Sequence, residues 1–187
     1  MSEITLESQL FEIIKNKELS EDIKLAKVDM LIKLGVDVNT NDMDEKTALM
    51  FASCYGHKDI VELLVSNWAD VNKKDNDGLT ALTRASSLGY KEIVEILVSN
   101  GADVNQKDHD RWTALMFASF GGHKEIIEFL VSRGADINQK NNLGKTAIDL
   151  AKNEEVKGIL NKKVQELAEE KNNSIFTKIK RGFGLGD

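Results

Sequence analysis

Hydrophobic and polar residues form a block that recurs every 33 residues along this chain of 187 residues. In the copy over 73–105, a polar turn at 75–78 precedes Thr80, which stands where a helix N-cap belongs. Small and apolar residues follow at helical spacing over 81–86, and Gly89 can end that helix in the left-handed conformation. The pattern therefore predicts a turn followed by a short helix.

A second, more hydrophobic helix is predicted from Lys91 to Ser99, where Ile, Val and Leu form a broad apolar face. Gly101 ends it, and an Ala-Asp-Val-Asn segment leads into the next turn. One such unit cannot bury its apolar face alone, so the period indicates a stack of similar units. The markers that recur in phase are Thr47, Thr80, Thr113 and Thr146, and Asn39, Asn72, Asn105 and Asn138.

These repeated residues resemble the ankyrin repeat, whose pattern joins a Thr-Pro-Leu-His segment, a Gly-His pair, an Ile-Val run and Gly-Ala-Asp-Val-Asn. Its elements occur here at Gly56-His57, Gly122-His123, Ile60-Val61, Ile93-Val94, Gly101 and Gly134. The resemblance implies an all-α ankyrin-repeat solenoid of stacked helix-turn-helix units with β-turn fingers. We expect an ankyrin repeat domain over 1–171 and a tail over 172–187. The repeats are predicted at 6–39 (N-terminal cap), 40–72, 73–105, 106–138 and 139–171 (C-terminal cap).

Several positions depart from the family pattern. Ala replaces the usual Pro in all four copies, and the usual His is also replaced, so the hydrogen bond of that His is expected to be absent. Glu45 and Arg111 replace a turn Gly, and Trp68 replaces a helix-ending Gly. A non-Gly residue held left-handed costs about 1 kcal/mol, so either Trp68 accepts that strain or its loop differs. Its side chain either packs over the adjacent loop or forms a second contact, with a partner or in self-association.

The composition favours a folded, soluble protein, with 41% hydrophobic residues, 30% charged residues and a net charge of -6. A duplex-binding protein normally has a basic face, and only the C-terminal end is basic here, so nucleic acid is not an expected partner. The single cysteine, Cys54, excludes an intramolecular disulfide framework. Neither a signal peptide nor a stretch of transmembrane length is recognised. We expect a cytoplasmic monomer, with export by an unmarked route as the alternative.

No constellation of residues typical of an active site is present. His57 and His123 occupy the Gly-His position and are interpreted as framework residues, whereas His109 lies at a predicted turn tip, solvated or touching a partner. Cys54 has no activating neighbour in sequence. No metal-ligand cluster, phosphate-binding Gly loop or nucleophile elbow is recognised. We therefore expect no enzyme and no cofactor.

Residues that differ between equivalent positions of the repeats are expected to carry the function. The family usually binds partners on its concave face, which comprises the turn tips and the exposed side of each first helix. Aromatic and Arg side chains dominate binding hot spots, and clustered exposed apolar surface marks a site; the alternative is that some of these side chains fold back on a neighbouring repeat. The candidate partner-binding residues are Met43, Lys46, Tyr55, Asp77, Leu79, Arg84, Leu88, His109, Arg111, Trp112 and Phe120. An acidic rim that suits a basic partner comprises Asp44, Asp77, Asp108 and Asp110.

The C-terminal segment is the other feature without a framework explanation. A polar helix over 162–171 is predicted to break at Asn172-Asn173-Ser174. Beyond it, Ile175, Phe176, Ile179 and Phe183 share one helical face beside basic residues, which suits an amphipathic anchor for an anionic membrane or a partner groove, while disorder or folding back on the last repeat are the alternatives.

The expected function is non-catalytic protein binding through the concave groove, centred on repeats two to four. The alternatives are an inhibitor or immunity-type factor that blocks an enzyme, and a scaffold that the segment 175–183 tethers to a membrane. Partner identity does not follow from the sequence, because the fold constrains architecture far more tightly than function.

Overall fold

The computed structural model describes residues 5–182, with side chains as far as Glu170. This part of the chain is built from α-helices that follow one another in antiparallel pairs. The helices are α1 (Leu6–Lys15), α2 (Glu21–Lys33), α3 (Ala48–Tyr55), α4 (Lys58–Ser66), α5 (Ala81–Leu88), α6 (Lys91–Ser99), α7 (Ala114–Gly121), α8 (Lys124–Ser132) and α9 (Glu154–Gly182). Each of the first four pairs coincides with one predicted repeat, which confirms the all-α solenoid.

Threonine caps determine where the first helix of each internal repeat begins. The hydroxyl groups of Thr47, Thr80 and Thr113 accept hydrogen bonds from the backbone N–H three residues later, at 3.3, 3.2 and 3.4 Å. The same helices end at left-handed glycines, with φ of 77° at Gly56 and 83° at Gly89. Both ends lie where the sequence predicts them, because capping depends only on neighbouring residues.

A short finger precedes each first helix. In every finger the backbone N–H of an Asp or Asn donates to the carbonyl four residues later at 3.0 Å, from Asp42 to Lys46 and from Asp75 to Leu79, for example. Neighbouring fingers are also joined, since the N–H of Asn76 donates to the carbonyl of Asp44 at 3.0 Å. The same link recurs between the later fingers. The β-turn fingers predicted by the resemblance therefore form one hydrogen-bonded row.

The repeats stack through small side chains on the first helices and branched ones on the second helices. Ile93, Val94 and Leu97 show the second type, and each is almost completely buried on α6. The small residues that let α3, α5 and α7 approach one another are Ala48, Ala52, Ala81, Ala85, Ala114 and Ala118. One hydrophobic core runs from Leu10 to Leu160, as expected when each repeat contacts only its neighbours.

Within residues 5–182, three non-glycine residues adopt left-handed backbone conformations, with φ of 61° at Glu45, 66° at Trp68 and 62° at Arg111. Trp68 therefore accepts the strain, and its loop keeps the hydrogen-bond pattern of the glycine-containing copy at Gly101. The Trp68 side chain is 88% exposed. The interpretation that this indole packs over the adjacent loop is wrong.

The fifth repeat differs from the preceding ones. No helix forms over 147–150, where the chain makes only a hydrogen-bonded turn from Thr146 to Leu150. The position equivalent to the helix-ending glycines is Glu155 here, so no residue suited to a left-handed stop is available. The chain instead turns early, and the Asn153 side chain caps α9 by accepting from the N–H of Val156 at 3.0 Å.

The last helix is longer than the sequence predicts. The expected break at Asn172-Asn173-Ser174 is wrong, since α9 continues through these residues to Gly182. The amphipathic face expected at Ile175, Phe176, Ile179 and Phe183 concerns side chains outside those described, as does the end of the expected tail over 183–187. Among the helices of the described chain, none combines the length and hydropathy that crossing a membrane requires.

Candidate functional site

The sequence-predicted surface centres on a groove between α5 of repeat three and α7 of repeat four. The groove encloses about 170 Å³, and its walls are almost entirely apolar. Its lining residues are Leu79, Thr83, Arg84, Ser87, Leu88 and Phe117. Three of the predicted site residues, Leu79, Arg84 and Leu88, are therefore brought together here. Leu88 is 48% exposed at the rim.

An ion pair ties the Arg84 side chain of this groove to the preceding finger. Its guanidinium donates to Asp75, whose carboxylate is completely buried at the base of the finger. That carboxylate also accepts from the N–H groups of Asp77 and Leu79, at 3.0 and 2.9 Å. Arg84 is held at the finger by this contact, and both Arg84 and Phe117 line the groove. Arg84 is thus a structural residue as well as part of the surface.

The equivalent aromatic residue of repeat two, Phe51, is half-buried like Phe117 but has different neighbours. The ring of Phe11 from α1 packs against it edge-on, with 5.7 Å between the centroids. The ammonium group of Lys15 lies 4.1 Å from the centroid of Phe51. The N-terminal repeat therefore contacts Phe51, whereas Phe117 contacts Trp112 and lines the groove.

Trp112 and Phe120 extend the apolar surface from Phe117 along repeat four. The Trp112 ring centroid lies 5.0 Å from that of Phe117 and 5.9 Å from that of Phe120. Trp112 is half-buried against the core, whereas Phe120 is 62% exposed. Trp112 therefore contributes to packing as well as to the surface, because its indole contacts two neighbouring rings. Leu79, Leu88, Trp112, Phe117 and Phe120 are called the apolar patch below.

Other predicted site residues lie outside the apolar patch. Met43 is 97% exposed at the tip of the first finger and lines a separate hollow beside Ser8 and Phe11. Lys46 forms an ion pair with Asp44 at 2.8 Å, which raises the pKa of Lys46 and lowers the pKa of Asp44. Tyr55, at the end of α3, stacks on His57 with 5.8 Å between the ring centroids. These three predicted residues of repeat two therefore do not line the groove between α5 and α7.

Polar residues of the third and fourth fingers border the apolar patch. Asp77, His109, Asp110 and Arg111 are exposed. The N–H of His109 donates to the carbonyl of Asp77 at 3.1 Å, which fixes the two fingertips side by side. Burial raises the pKa of Asp108, although its carboxylate accepts a hydrogen bond from the N–H of Trp112 at 2.7 Å. Asp108 therefore lies partly within the finger rather than on its rim.

The two histidines of the Gly-His pairs connect adjacent repeats. In His57, Nδ1 lies 2.6 Å from a carboxylate oxygen of Glu21, and Nε2 lies 3.0 Å from the carbonyl oxygen of Ile14. In His123, Nε2 lies 3.1 Å from the carbonyl oxygen of Ser87. These contacts confirm that both side chains are framework residues.

Phe117 and Asp75 contribute to the site but are absent from the predicted set. Phe117 stands at the position of Arg84, and the available signal was an aromatic residue in the same repeat as Trp112 and Phe120. Asp75 belongs to a position that is Asp or Asn in each finger, so it was interpreted as a framework residue. Its ion pair with Arg84 could not be recognised from that pattern. In the described residues, no group of three His, Cys, Asp or Glu side chains is arranged to hold a metal ion.

Family comparison agrees with this architecture. A family model described as ankyrin repeats (3 copies) matches residues 20–108, and a second, described as ankyrin repeats (many copies), matches residues 97–151. No curated protein matches the chain. Ankyrin repeats are in general protein–protein interaction modules without catalytic activity. With most of its length matched and the helix pairs in register, the chain belongs to the ankyrin repeat family.

Proposed function

We propose that this protein is a non-catalytic binding module that holds a protein partner on the fingers and first helices of repeats two to four. The observation that carries the proposal is the apolar patch, in which Leu88 and Phe120 are 48% and 62% exposed beside an apolar groove. Contiguous apolar surface rimmed by polar residues is typical of interaction sites.

Rigidity supports the same proposal. Hydrogen bonds join the fingers into a row, and the apolar patch rests on helices that share one core. A preorganised surface loses little conformational freedom when a partner binds, so more of the contact free energy contributes to affinity. Partner-binding residues in such a surface can be replaced without unfolding it.

The polar rim suggests the chemistry of the partner. Asp77 and Asp110 are exposed at fingertips beside the apolar patch, whereas Lys46 is already paired with Asp44. Arg84 is likewise paired, with Asp75. The acidic groups can therefore attract a basic partner, although the exposed Arg111 on the fourth fingertip carries the opposite charge. We expect a partner that presents an apolar side chain surrounded by Lys or Arg.

The proposed site is tested by affinity capture with matched surface variants. Wild-type protein and the variant L88A/F120A are each immobilised and exposed to extract from the native source, and captured proteins are then purified and titrated. L143A is the matched control, since Leu143 is 77% exposed on the fifth finger, outside the apolar patch. We expect a partner that binds wild type and L143A at least tenfold more tightly than L88A/F120A. Equal binding to all three would contradict the proposal.

A cytoplasmic, monomeric state is proposed with it. The Cys54 thiol is unpaired among the described residues, which is the usual state in a reducing compartment. Light scattering over a range of concentrations tests the monomer, and fractionation of source cells tests the compartment.

If the captured partner is an enzyme, assaying its activity with and without this protein distinguishes inhibition from scaffolding.

A further inference from the structure

Asparagine side chains join the loops of successive repeats by a fixed pair of hydrogen bonds. The Asn72 side chain donates to the carbonyl of Gly101 at 3.0 Å and accepts from the N–H of Asp103 at 2.8 Å. Asn39 and Asn105 make the same two bonds to the loops that follow them, at 2.7–3.1 Å. Each asparagine therefore binds a loop in which one residue separates the acceptor from the donor, and the acceptor residue is left-handed, with φ of 66° at Trp68, 90° at Gly101 and 88° at Gly134.

Asn138 is the fourth asparagine at this position, and its side chain makes neither of these two hydrogen bonds to the described residues. A regular fifth repeat would place its loop at 167–171, but these residues continue helix α9 instead. Among the described residues, none supplies the carbonyl and N–H that the earlier asparagines bind. The exposed Asn138 side chain borders a groove of about 380 Å³ that occupies the place of the missing loop.

The groove has walls suited to a small apolar side chain. On one side it is lined by Val131, Ala135 and Ile137, and on the other by Val164 and Leu167 of α9. In the three complete copies, the residue between the bound carbonyl and the bound N–H is alanine, and it is 5–8% exposed. A bulky side chain at the position of this alanine would clash with the preceding loop, so the position favours a small residue.

We propose that Asn138 and this groove bind a loop-forming segment of another polypeptide, recognised by its backbone, which begins with a left-handed residue such as Gly, and by a small residue between acceptor and donor. The best match is a Gly-Ala-Asp-Val-Asn type of segment. Its Asp preforms the bound conformation, as when Asp103 accepts from the N–H of Asn105 at 2.9 Å. This surface is separate from the apolar patch, and the inference does not depend on the proposed function.

A folded second copy of this chain does not fit the groove. Its loop at 35–39 follows directly on α2, just as each internal loop follows the second helix of its repeat. Those second helices pack on the preceding second helix, and beside α8 that position is held by α9. The occupant is therefore a segment that no helix precedes, such as a terminus or a linker of the partner.

The test uses a blocked synthetic peptide with the sequence of residues 99–105, Ser-Asn-Gly-Ala-Asp-Val-Asn. Titration into the full chain is followed by NMR, and we expect the side-chain amide of Asn138 and the amides of 134–138 to shift. N138L should weaken binding about tenfold, the effect of losing two hydrogen bonds to an exposed site. Q139L is the matched control, since Gln139 is adjacent but does not line the groove, and it should bind as wild type does.

A second peptide, with Phe in place of Ala, tests the size limit and should bind at least tenfold more weakly. Thermal unfolding of N138L is measured beside wild type, and equal midpoints show that the fold is retained. No shift at Asn138 at millimolar peptide, equal affinity for N138L, or equal binding of the Phe peptide would each overturn the proposal. Association of the unliganded chain that N138L abolishes would assign the groove to a second copy instead and would also overturn it.

Discussion

Arg84 donates to the buried carboxylate of Asp75, and this ion pair joins a finger to the helix that follows it. Arg84 is 19% exposed, and the Asp75 side chain is fully buried. At the position of Arg84 the other repeats carry Phe51, Phe117 or Leu150, so the pair belongs to repeat three alone. Arg84 also lines the groove together with Phe117, a residue of the apolar patch.

Replacing Arg84 by Phe, the residue found in two other repeats, should destabilise the protein. The buried Asp75 carboxylate loses its cation but keeps two backbone hydrogen bonds, so we expect a loss of about 1–3 kcal/mol. The measurement is the free energy of unfolding in urea.

D75N/R84F provides the control for that prediction. Asn141 already serves in the fifth finger, where its side-chain oxygen accepts from the N–H groups of Leu143 and Lys145 at 3.0 and 2.9 Å. Asn at 75 should therefore keep the finger intact without a buried charge, and the double variant should be more stable than R84F. If both variants lose the same stability, the charge of Asp75 is not the cause.

Replacing Asp108 by Asn should stabilise the protein at neutral pH but not in acid. Burial raises the pKa of Asp108 above its usual 3.8, so the native state binds its proton more tightly than the unfolded state does. The stability that protonation provides is present below the unfolded pKa and is lost as the pH rises through the folded pKa. D108N should therefore stabilise the protein at neutral pH, by less than about 1 kcal/mol because the carboxyl is partly solvated.

Urea unfolding of wild type and D108N is compared at neutral pH and at pH about 3, below the usual aspartate pKa. The advantage of D108N should disappear in acid. An advantage that is the same at both pH values would show that the amide acts through packing instead of charge. D77N is the matched control, because Asp77 is exposed on the third finger and is not among the groups that shift the pKa of Asp108.

Trp68→Gly should stabilise the fold. The residue has a φ of 66°, and its copies are Gly35, Gly101 and Gly134. Relief of left-handed strain is worth about 1 kcal/mol, partly offset by the greater freedom of glycine in the unfolded chain. W68A keeps the strain and removes the indole, so it should show no gain in thermal unfolding temperature. A loss of stability in W68G would indicate that the exposed indole stabilises the native state.

His57→Ala should loosen the N-terminal repeat selectively. The change removes the hydrogen bond between the His57 ring and the carbonyl of Ile14, and it removes the contact with Glu21. We expect it to lower the free energy of unfolding by about 1–3 kcal/mol. Amide hydrogen exchange should accelerate in α1 and α2 while α8 stays protected. His123→Ala is the comparison, because its ring contacts Ser87 and its effect should appear around α5 and α7. Uniform acceleration in both variants would argue against repeat-local docking.

The family, the ends of the first helices in the internal repeats and the finger turns can be predicted from the amino-acid sequence. Thr80 and Gly89 act through hydrogen bonds and backbone conformations within a few residues of themselves, so their roles can be recognised from neighbouring residues. The 33-residue period extends those local rules over the chain, since each copy repeats the same contacts. The framework roles of His57 and His123 follow from the same periodicity.

Side chains that break the period cannot be placed in this way. Arg84 is expected at the surface, yet its partner Asp75 is hidden among repeated finger residues. Trp112 is expected to point outward, yet it packs on Phe117 and Phe120. The sequence at 172–174 favours a helix break, yet α9 continues through these residues to Gly182.

The sequence by itself therefore determined the repeat, its caps and its register, because these depend on contacts that recur at a fixed spacing. Only the tertiary structure decided which variable side chains are exposed, which pair across a finger, and where the stack ends with an open asparagine. Those outcomes depend on the packing of one repeat against the next, and single substitutions at Arg84, Phe117 or Glu155 alter that packing without disturbing the period.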